Sequence, residues 1–261
     1  MKYGFCHLSV IPGRLDPSDP SEMITQVLFG DHFKVIEERA KWVRIRNAFD
    51  KYESWIDRKQ LFEISKEEYT RIDEEKYPKL SSELVGVIRN EDDEIVPILL
   101  GATLPGINDD LSFEVQGKSF VFDGSISTTK KNELKGRLIE NAYMFMNAPY
   151  LWGGKTPFGI DCSGLSQMVY KLNGIHLPRD AYQQAEKGIT LSFVEEAEPG
   201  DLAFFDDAEG NITHVGILLE NNLIIHASGK VRVDPIDHQG IFNKELNNYS
   251  HKLRLIKKII K

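Results

Sequence analysis

Three residues could together perform nucleophilic chemistry: Cys162, His214 and His226. Cys162 lies between Asp161 and Ser163 in "GIDCSGL", just after the glycine-rich run "YLWGGKTPFG". Such polar neighbours are unusual for a cysteine that only packs. Because an imidazole can remove the proton of a thiol and so activate it, these residue types indicate covalent catalysis by cysteine.

The residues after Cys162 predict a helix that starts at it. Apolar residues recur there at the helical spacing i, i+3, i+4 and i+7, namely Leu165, Met168, Val169 and Leu172. Gly174 can end this helix in a left-handed conformation. Since a helix N-terminus carries a partial positive charge and unpaired N–H groups, we expect this position to stabilise the Cys162 thiolate.

The two histidines are predicted on adjacent strands, "THVGILL" and "LIIHAS". If Leu219 and Leu223 flank a three-residue loop, Gly216 pairs with His226. His214 then lies one diagonal step away on the same face, and diagonal neighbours are about 7 to 8 Å apart at the backbone. The spacing therefore predicts that the two imidazoles meet, with His226 orienting His214 as in papain-type sites.

Each residue of the trio also has another interpretation. A lone buried cysteine or histidine can serve packing alone, and Cys162, His214 and His226 could be three zinc ligands. The trio lacks a close pair such as CxxC or HxxxH, so the metal site is the weaker hypothesis. No cofactor is predicted.

The elements that must position these residues predict an α+β chain. Short β-branched or aromatic segments at 26–29, 33–37, 42–46 and 54–56 indicate a small all-β barrel. A charged segment follows, helical or extended, and then a second β-rich run that ends near 128. Helical periodicity from Leu134 must stop before Pro149, and a further helix is predicted between Pro178 and Gly188. We therefore predict a first β domain over 1–64, a linker over 65–79, a second β domain over 80–128 and an α+β domain over 129–261.

Composition excludes several classes of protein. The 261 residues are 41% hydrophobic and 28% charged, which is typical of a globular chain. A net charge of -8 disfavours nucleic acid and anionic membranes as partners. No signal peptide and no apolar run of about 18 residues is apparent, and there are only two cysteines. We expect a cytoplasmic protein, with a small molecule or peptide as substrate.

The run "APYLWGGKTPFGIDCSGLSQMVYKLNGIHLPRDAYQQ", followed by "PGDLAFFDD" and "THVGILLENNLIIHASG", resembles the NlpC-type cell-wall cysteine peptidases. The resemblance covers about residues 130–261 and implies a papain-like peptidase domain. The upstream part resembles bacterial SH3-like domains, notably at "DKYESWIDRKQL". Together they are similar to recycling enzymes that cut between γ-D-glutamate and a diamino acid in murein peptides with a free N-terminal L-Ala.

The resemblance implies a role for each site residue. Cys162 would be the nucleophile, His214 the base and His226 the residue that orients it. Asp161 would bind the free amine of the substrate together with Glu22 and Tyr52 of the first β domain.

Further residues are predicted to contact substrate. The Cys162 backbone N–H and the Tyr150 hydroxyl would form the oxyanion hole. Arg179 could bind the α-carboxylate of D-glutamate, or form a structural ion pair with Asp180 or a neighbouring loop acid. Trp152 and Ser163 would also contact substrate.

Two other functions stay open at this point. A module that only binds wall fragments would keep the pocket without needing the nucleophile. An acyltransferase would pass the thioester to an amine in place of water.

Overall fold

The computed structural model describes residues 1–128 and 134–260. The chain divides into two compact units, Met1–Lys130 and Lys131–Lys261. The finer division at 64, 79 and 128 stays a prediction, and the proposed start of the last domain at 129 lies outside the described residues.

The first unit begins with a seven-stranded antiparallel sheet. Its strands β1 to β7 are Lys2–Phe5, Val10–Arg14, Met23–Leu28, His32–Glu38, Trp42–Asn47, Glu53–Asp57 and Phe62–Ile64, in the order β3-β2-β6-β5-β4-β1-β7. A short 3-10 helix, Arg58–Gln60, precedes β7. In β5, Val43 and Ile45 are buried while Arg44 and Arg46 are not, which is the alternation expected of a half-buried strand.

The four strands predicted in this region are confirmed within three residues at each end. The sequence reasoning missed β1, β2 and β7. The second contains Pro12 and Gly13, which weaken a strand pattern.

The charged segment that follows forms helix α1, Lys66–Asp73, whose N-cap is Ser65. It is not a free linker, because Tyr69 and Ile72 are buried in a core shared with both β regions. Seven strands follow as β8 to β14: Lys79–Ser81, Val85–Asn90, Ile95–Leu99, Thr103–Leu104, Ser112–Val115, Lys118–Asp123 and Ile126–Thr128. They form the sheets β10-β9-β13-β12 and β11-β8-β14.

The second unit contains three helices. They are α2, α3 and α4, over Leu134–Tyr143, Cys162–Leu172 and Ala181–Gln184. Helix α3 starts at Cys162 and is followed by Gly174 with φ 72°, as the sequence predicts. Helix α4 is only four residues long, so the longer helix predicted between Pro178 and Gly188 is wrong.

The strands of the second unit mostly form one antiparallel sheet. The strands β15 to β23 are Lys155–Thr156, Gly159–Ile160, Ile189–Leu191, Leu202–Asp206, Ile212–Leu219, Leu223–Ser228, Lys230–Pro235, Gly240–Asn243 and Asn248–Lys258. The order is β17-β23-β18-β19-β20-β21, with β22 beside β23, and β15 and β16 form a separate hairpin. Helices followed by an antiparallel sheet confirm the α+β class.

Within residues 1–128 and 134–260, the helices are all too short or too polar to span a bilayer.

Candidate active site

The start of α3 is fixed by Asp161, which is its N-cap. The Asp161 carboxylate accepts hydrogen bonds from the backbone N–H of Gly164 at 2.6 Å and of Gly153 at 2.8 Å. A Cβ at Gly164 would lie 2.3 Å from the carbonyl oxygen of Gly154, so only glycine lets the preceding loop approach this closely. The glycines around Cys162 thus hold the loop against the first turn of the helix.

Asp161 also forms a buried ion pair with Arg179. Nη1 and Nη2 of Arg179 donate to the two carboxylate oxygens at 3.0 and 2.5 Å, and Nη1 donates to Ser163 Oγ at 2.9 Å. The partner of Arg179 is therefore the acid beside the candidate nucleophile, whereas Asp180 is the N-cap of α4.

These contacts occupy the acceptor capacity of the Asp161 carboxylate, which is about four lone pairs. The structure gives Asp161, Ser163 and Arg179 a common structural role at the start of α3. Their contacts with substrate stay predictions.

The Cys162 thiol is buried against the strand that carries His214. Its Sγ lies 4.0 Å from the carbonyl oxygen of Thr213 and accepts a hydrogen bond from the backbone N–H of Val215. Burial, and then the charge of Asp161, raises the pKa of the thiol to about 12. Burial thus opposes the stabilisation of the thiolate that is expected from the helix N-terminus, which stays a prediction.

The hairpin of β19 and β20 has the predicted register. Leu219 pairs with Leu223 and Gly216 with His226. His214 Nε2 lies 2.9 Å from His226 Nδ1, so the predicted meeting of the imidazoles is confirmed. A Cβ at Gly216 would lie 2.6 Å from Ile224 Cδ1 and 3.0 Å from the Cβ of His226, so a larger residue there would crowd both side chains.

Asp234 on β21 extends this pair and was missed by the sequence reasoning. His226 Nε2 lies 3.1 Å from Asp234 Oδ2, and Arg232 Nη2 donates to Oδ1 at 3.0 Å. The alternation in "VRVDP", two residues after "LIIHAS", is the signal that could have placed Asp234 on a third strand near His226.

Asp234 determines where the protons of both imidazoles lie. Burial alone would raise the pKa of its carboxyl, but hydrogen bonds from His226 and Arg232 hold that pKa below its usual value. The carboxylate only accepts, so His226 Nε2 carries the proton and His226 Nδ1 accepts from His214 Nε2–H. The lone pair of neutral His214 is then on Nδ1, where it can act as a base.

His214 is held neutral. Burial, and then the charges of His251 and His226, places the pKa of His214 well below its usual value. The resting site thus pairs a neutral thiol with a neutral imidazole.

His251 on β23 completes a cluster of three histidines, and it too was missed. Its ring stacks on His214, with centroids 4.1 Å apart and planes at 25°. The imidazole nitrogens of His214, His226 and His251 lie within 4.8 Å of one another, which is close enough for a shared metal ion. Nearly parallel stacked rings, however, direct their in-plane lone pairs side by side, so this arrangement does not converge on one metal position.

Tyr150 and Trp152 lie in the loop before the helix. Burial, and then the charges of Cys162 and Asp161, raises the pKa of the Tyr150 phenol. The hydroxyl therefore stays protonated and can donate, as an oxyanion hole requires. Trp152 is 58% exposed.

Glu22 and Tyr52 belong to the first unit. Glu22 is exposed just before β3, where its carbonyl oxygen accepts from the Leu15 N–H at 2.9 Å. Tyr52 is half-buried before β6, and its N–H donates to Asp50 Oδ1 at 3.0 Å. Their predicted contacts with a substrate amine stay predictions.

Both units resemble characterised families. Residues 147–249 match the NlpC/P60 family, and residues 14–61 match the bacterial dipeptidyl-peptidase Sh3 domain.

Two curated relatives are similar over most of their length. The gamma-D-glutamyl-L-lysine dipeptidyl-peptidase of Bacillus subtilis (strain 168) is 30% identical over 219 residues, which are 78% of this chain and 71% of the relative. The dipeptidyl-peptidase 6 of Lysinibacillus sphaericus is 26% identical over 246 residues, which are 86% of this chain and 88% of the relative.

The crystal structure of an NlpC/P60 family protein from Bacillus cereus ATCC 10987 has a TM-score of 0.80 to this chain. It covers 99% of this chain and 100% of that chain at 21% identity. A likeness at this identity shows a shared fold.

Proposed function

Because the chain belongs to the NlpC/P60 family of cysteine peptidases, we propose that it hydrolyses the bond between γ-D-glutamate and a diamino acid in murein peptides with a free N-terminal L-Ala. The products would be L-Ala-D-Glu and the free diamino acid. We further propose Cys162 as the nucleophile, His214 as the base and His226 as the residue that orients it.

The observation that carries this proposal is the hydrogen-bonded series from Asp234 through His226 to His214, beside a thiol at the start of α3. The series leaves one basic nitrogen, His214 Nδ1, on the strand that contacts Cys162 Sγ. The names of two relatives support the substrate class, since each is a dipeptidyl-peptidase and one is named for the gamma-D-glutamyl-L-lysine bond.

The first half of the reaction forms a thioester. His214 Nδ1 takes the thiol proton as Sγ bonds to the γ-carbonyl carbon, and the resulting oxyanion accepts hydrogen bonds from the Cys162 N–H and the Tyr150 hydroxyl. The bond from carbon to nitrogen then breaks. The imidazolium of His214 gives its proton to the departing amine.

The second half consumes water. Neutral His214 takes a proton from water as the hydroxide oxygen bonds to the thioester carbonyl. The carbon–sulfur bond breaks, Sγ recovers its proton from His214, and the new γ-carboxyl group leaves on L-Ala-D-Glu. Asp234 stays ionised throughout. It stabilises the positive charge that the histidine pair carries while His214 is an imidazolium.

The direct test is to incubate the purified protein with L-Ala-γ-D-Glu-L-Lys and with the diaminopimelate analogue, and to identify products by mass spectrometry. We expect L-Ala-D-Glu and free diamino acid. Binding without turnover would indicate a wall-fragment module, and transfer to an added amine would indicate an acyltransferase. Either result overturns the proposal.

A second measurement addresses the free amine. N-acetylation of L-Ala should abolish cleavage, and Glu22→Ala or Tyr52→Phe should lower kcat/KM for the free-amine peptide. Glu91→Ala, which removes an exposed loop acid of the same unit, is the matched control. Equal cleavage of free and acetylated peptides would show that Glu22 and Tyr52 do not select the amine.

A further inference from the structure

A groove of about 720 Å³ opens beside the three histidines in the second unit. Six of the side chains that line it carry the argument: Phe205, Asp206, Asp207, Thr213, His251 and Lys252. Pockets for small ligands commonly have about this size. The network of Asp161, Ser163 and Arg179 does not line it.

The groove does not contact Cys162 or His214 directly, but two of its lining residues do. Thr213 lines it, and the Thr213 carbonyl oxygen is 4.0 Å from Cys162 Sγ. His251 also lines it and stacks on His214 at 4.1 Å. The amine that receives its proton from His214 as the tetrahedral intermediate collapses to the thioester would therefore depart beside this groove.

Two neighbouring carboxylates give one end of the groove a negative charge. The Asp206 side chain is 5% exposed, its Oδ1 lacks a hydrogen-bond partner among the described residues, and Oδ2 lies 3.6 Å from Arg254 Nε. The Asp207 carboxylate accepts from the N–H groups of Asn211 at 2.8 Å and Glu209 at 3.0 Å. A buried carboxylate oxygen without a partner is costly, so a cation nearby would be favourable.

The groove also offers a positive charge. Lys252 on β23 pairs across the sheet with Asp206 on β18, and it is exposed. Acids and a lysine in one groove suit a ligand that carries an ammonium and a carboxylate together. A diamino acid at the end of a peptide is such a ligand.

We propose that this groove binds the departing residue of the substrate, with Asp206 and Asp207 holding its side-chain ammonium and Lys252 its free carboxylate. The inference rests on the proposed function and adds a residue-level account of which leaving groups the enzyme accepts. It makes the acids specificity-determining residues, not catalytic ones.

The test uses three tripeptides that share L-Ala-γ-D-Glu and differ only in the leaving residue: L-lysine, Nε-acetyl-lysine and lysine amide. Loss of one charge-assisted contact should lower kcat/KM about 10- to 100-fold for each altered peptide. Since the peptides change and the protein does not, this comparison is independent of folding. Equal kcat/KM for the three peptides overturns the proposal.

Variants then assign the contacts. Asp207→Asn keeps an acceptor for the turn, and it should lower kcat/KM for the lysine peptide and erase the difference from the acetylated one. Lys252→Gln should lower kcat/KM for the lysine peptide and erase the difference from the lysine amide peptide. Glu209→Gln removes a charge from the same turn without lining the groove, and should leave all three values unchanged. If Asp207→Asn and Asp206→Asn both still cleave the lysine peptide with a higher kcat/KM than the acetylated one, neither acid binds the side-chain ammonium.

Failure of the two proposals can be told apart. If neither these three peptides nor the diaminopimelate tripeptide of the direct test is cleaved, the proposed function is wrong. If all are cleaved with the same kcat/KM, the function stands and the groove is not the leaving-group subsite.

Discussion

The interiors of the two units differ in what they bury. Among residues 1–128, the buried side chains are almost all apolar or neutral, and Asp31 is the one buried acid or base of formal charge. The described part of the second unit buries eight ionisable side chains besides cysteine and tyrosine, namely Lys155, Asp161, Lys171, Arg179, Asp201, His214, His226 and Asp234. A buried charge costs free energy unless it is paired, and pairing seldom returns the whole cost.

This difference in buried charge indicates that the interior of the first unit serves stability, whereas that of the second also serves the chemistry of its site. In the first unit, apolar clusters such as the one around Val43, Ile45 and Ile56 form the interior, and Asp31 is the one buried charged group among its described residues. In the second, Asp161 with Arg179, and Asp234 with His226, keep charge close to Cys162 at a cost in stability. The most informative experiments therefore change matched residues in both units.

The largest contrast is expected between the two cysteines, which are both buried thiols and not in a disulfide. Cys162→Ala should lower kcat by at least about 10,000-fold with little change in fold, because it removes the attacking atom. Cys6→Ala should keep kcat and reduce the free energy of unfolding by about 1 to 2 kcal/mol. Peptide hydrolysis and chemical denaturation measure the two effects. Substantial turnover by Cys162→Ala would rule out a cysteine mechanism.

The next contrast is between two buried carboxylates. Asp234→Asn can donate a proton to His226 Nε2, which reverses the tautomers of both imidazoles and protonates His214 Nδ1. We expect kcat to fall about 100- to 10,000-fold at similar KM, by analogy with the loss of the aspartate in serine protease triads. Asp31→Asn keeps the acceptor for the Leu28 N–H and should leave kcat unchanged. An unchanged kcat in Asp234→Asn would show that the tautomers are fixed by other groups.

A third contrast compares two ion pairs by their effect on stability. Arg179→Met leaves the Asp161 carboxylate buried without its cation, and should cost about 3 to 5 kcal/mol in the free energy of unfolding. Arg58→Met removes the pair with Glu38 on the surface of the first unit, and should change the free energy of unfolding far less, because water solvates both charges. Urea denaturation of each variant gives both values. Similar losses would mean that water reaches the Asp161 pair.

The smallest effect is expected in the pH profile. Catalysis needs neutral His214, so kcat/KM should stay level as pH falls through 6.5 and decline about tenfold per unit only below the lowered pKa of His214. His7 in the first unit also has a pKa lowered by burial, yet His7→Gln should leave this acid limb in place. A midpoint at or above 6.5 would contradict a buried neutral base.

The sequence predicted those parts of the site that depend on local pattern. The helix start at Cys162 follows from four apolar positions, and the pairing of Gly216 with His226 follows from the parity of one loop. Both contacts join residues that are close in the chain, so spacing alone determines them.

Other parts depend on long-range packing that spacing does not encode. His251 meets His214 only because β23 crosses the sheet to lie beside β18. Arg179 finds Asp161 through the loop that follows α3, and the burial that raises the pKa of Cys162 comes from the sheet. A motif identifies the nucleophile but does not reveal the energy needed to ionise it.

The contact of Cys162 Sγ with Thr213 joins the two parts of the candidate active site. Each part is formed by residues that lie close together in the chain. The residues that fix the thiol lie between Gly153 and Arg179, and those that fix the base lie between His214 and Asp234. Between them, residues 186 and 187 precede strand β17 and are exposed. Because the entropy of closing a loop rises slowly with its length, the chain can gain residues at this point without disturbing either half. Lengthening here is therefore a route by which the surface of the second unit can diversify while the chemistry is kept.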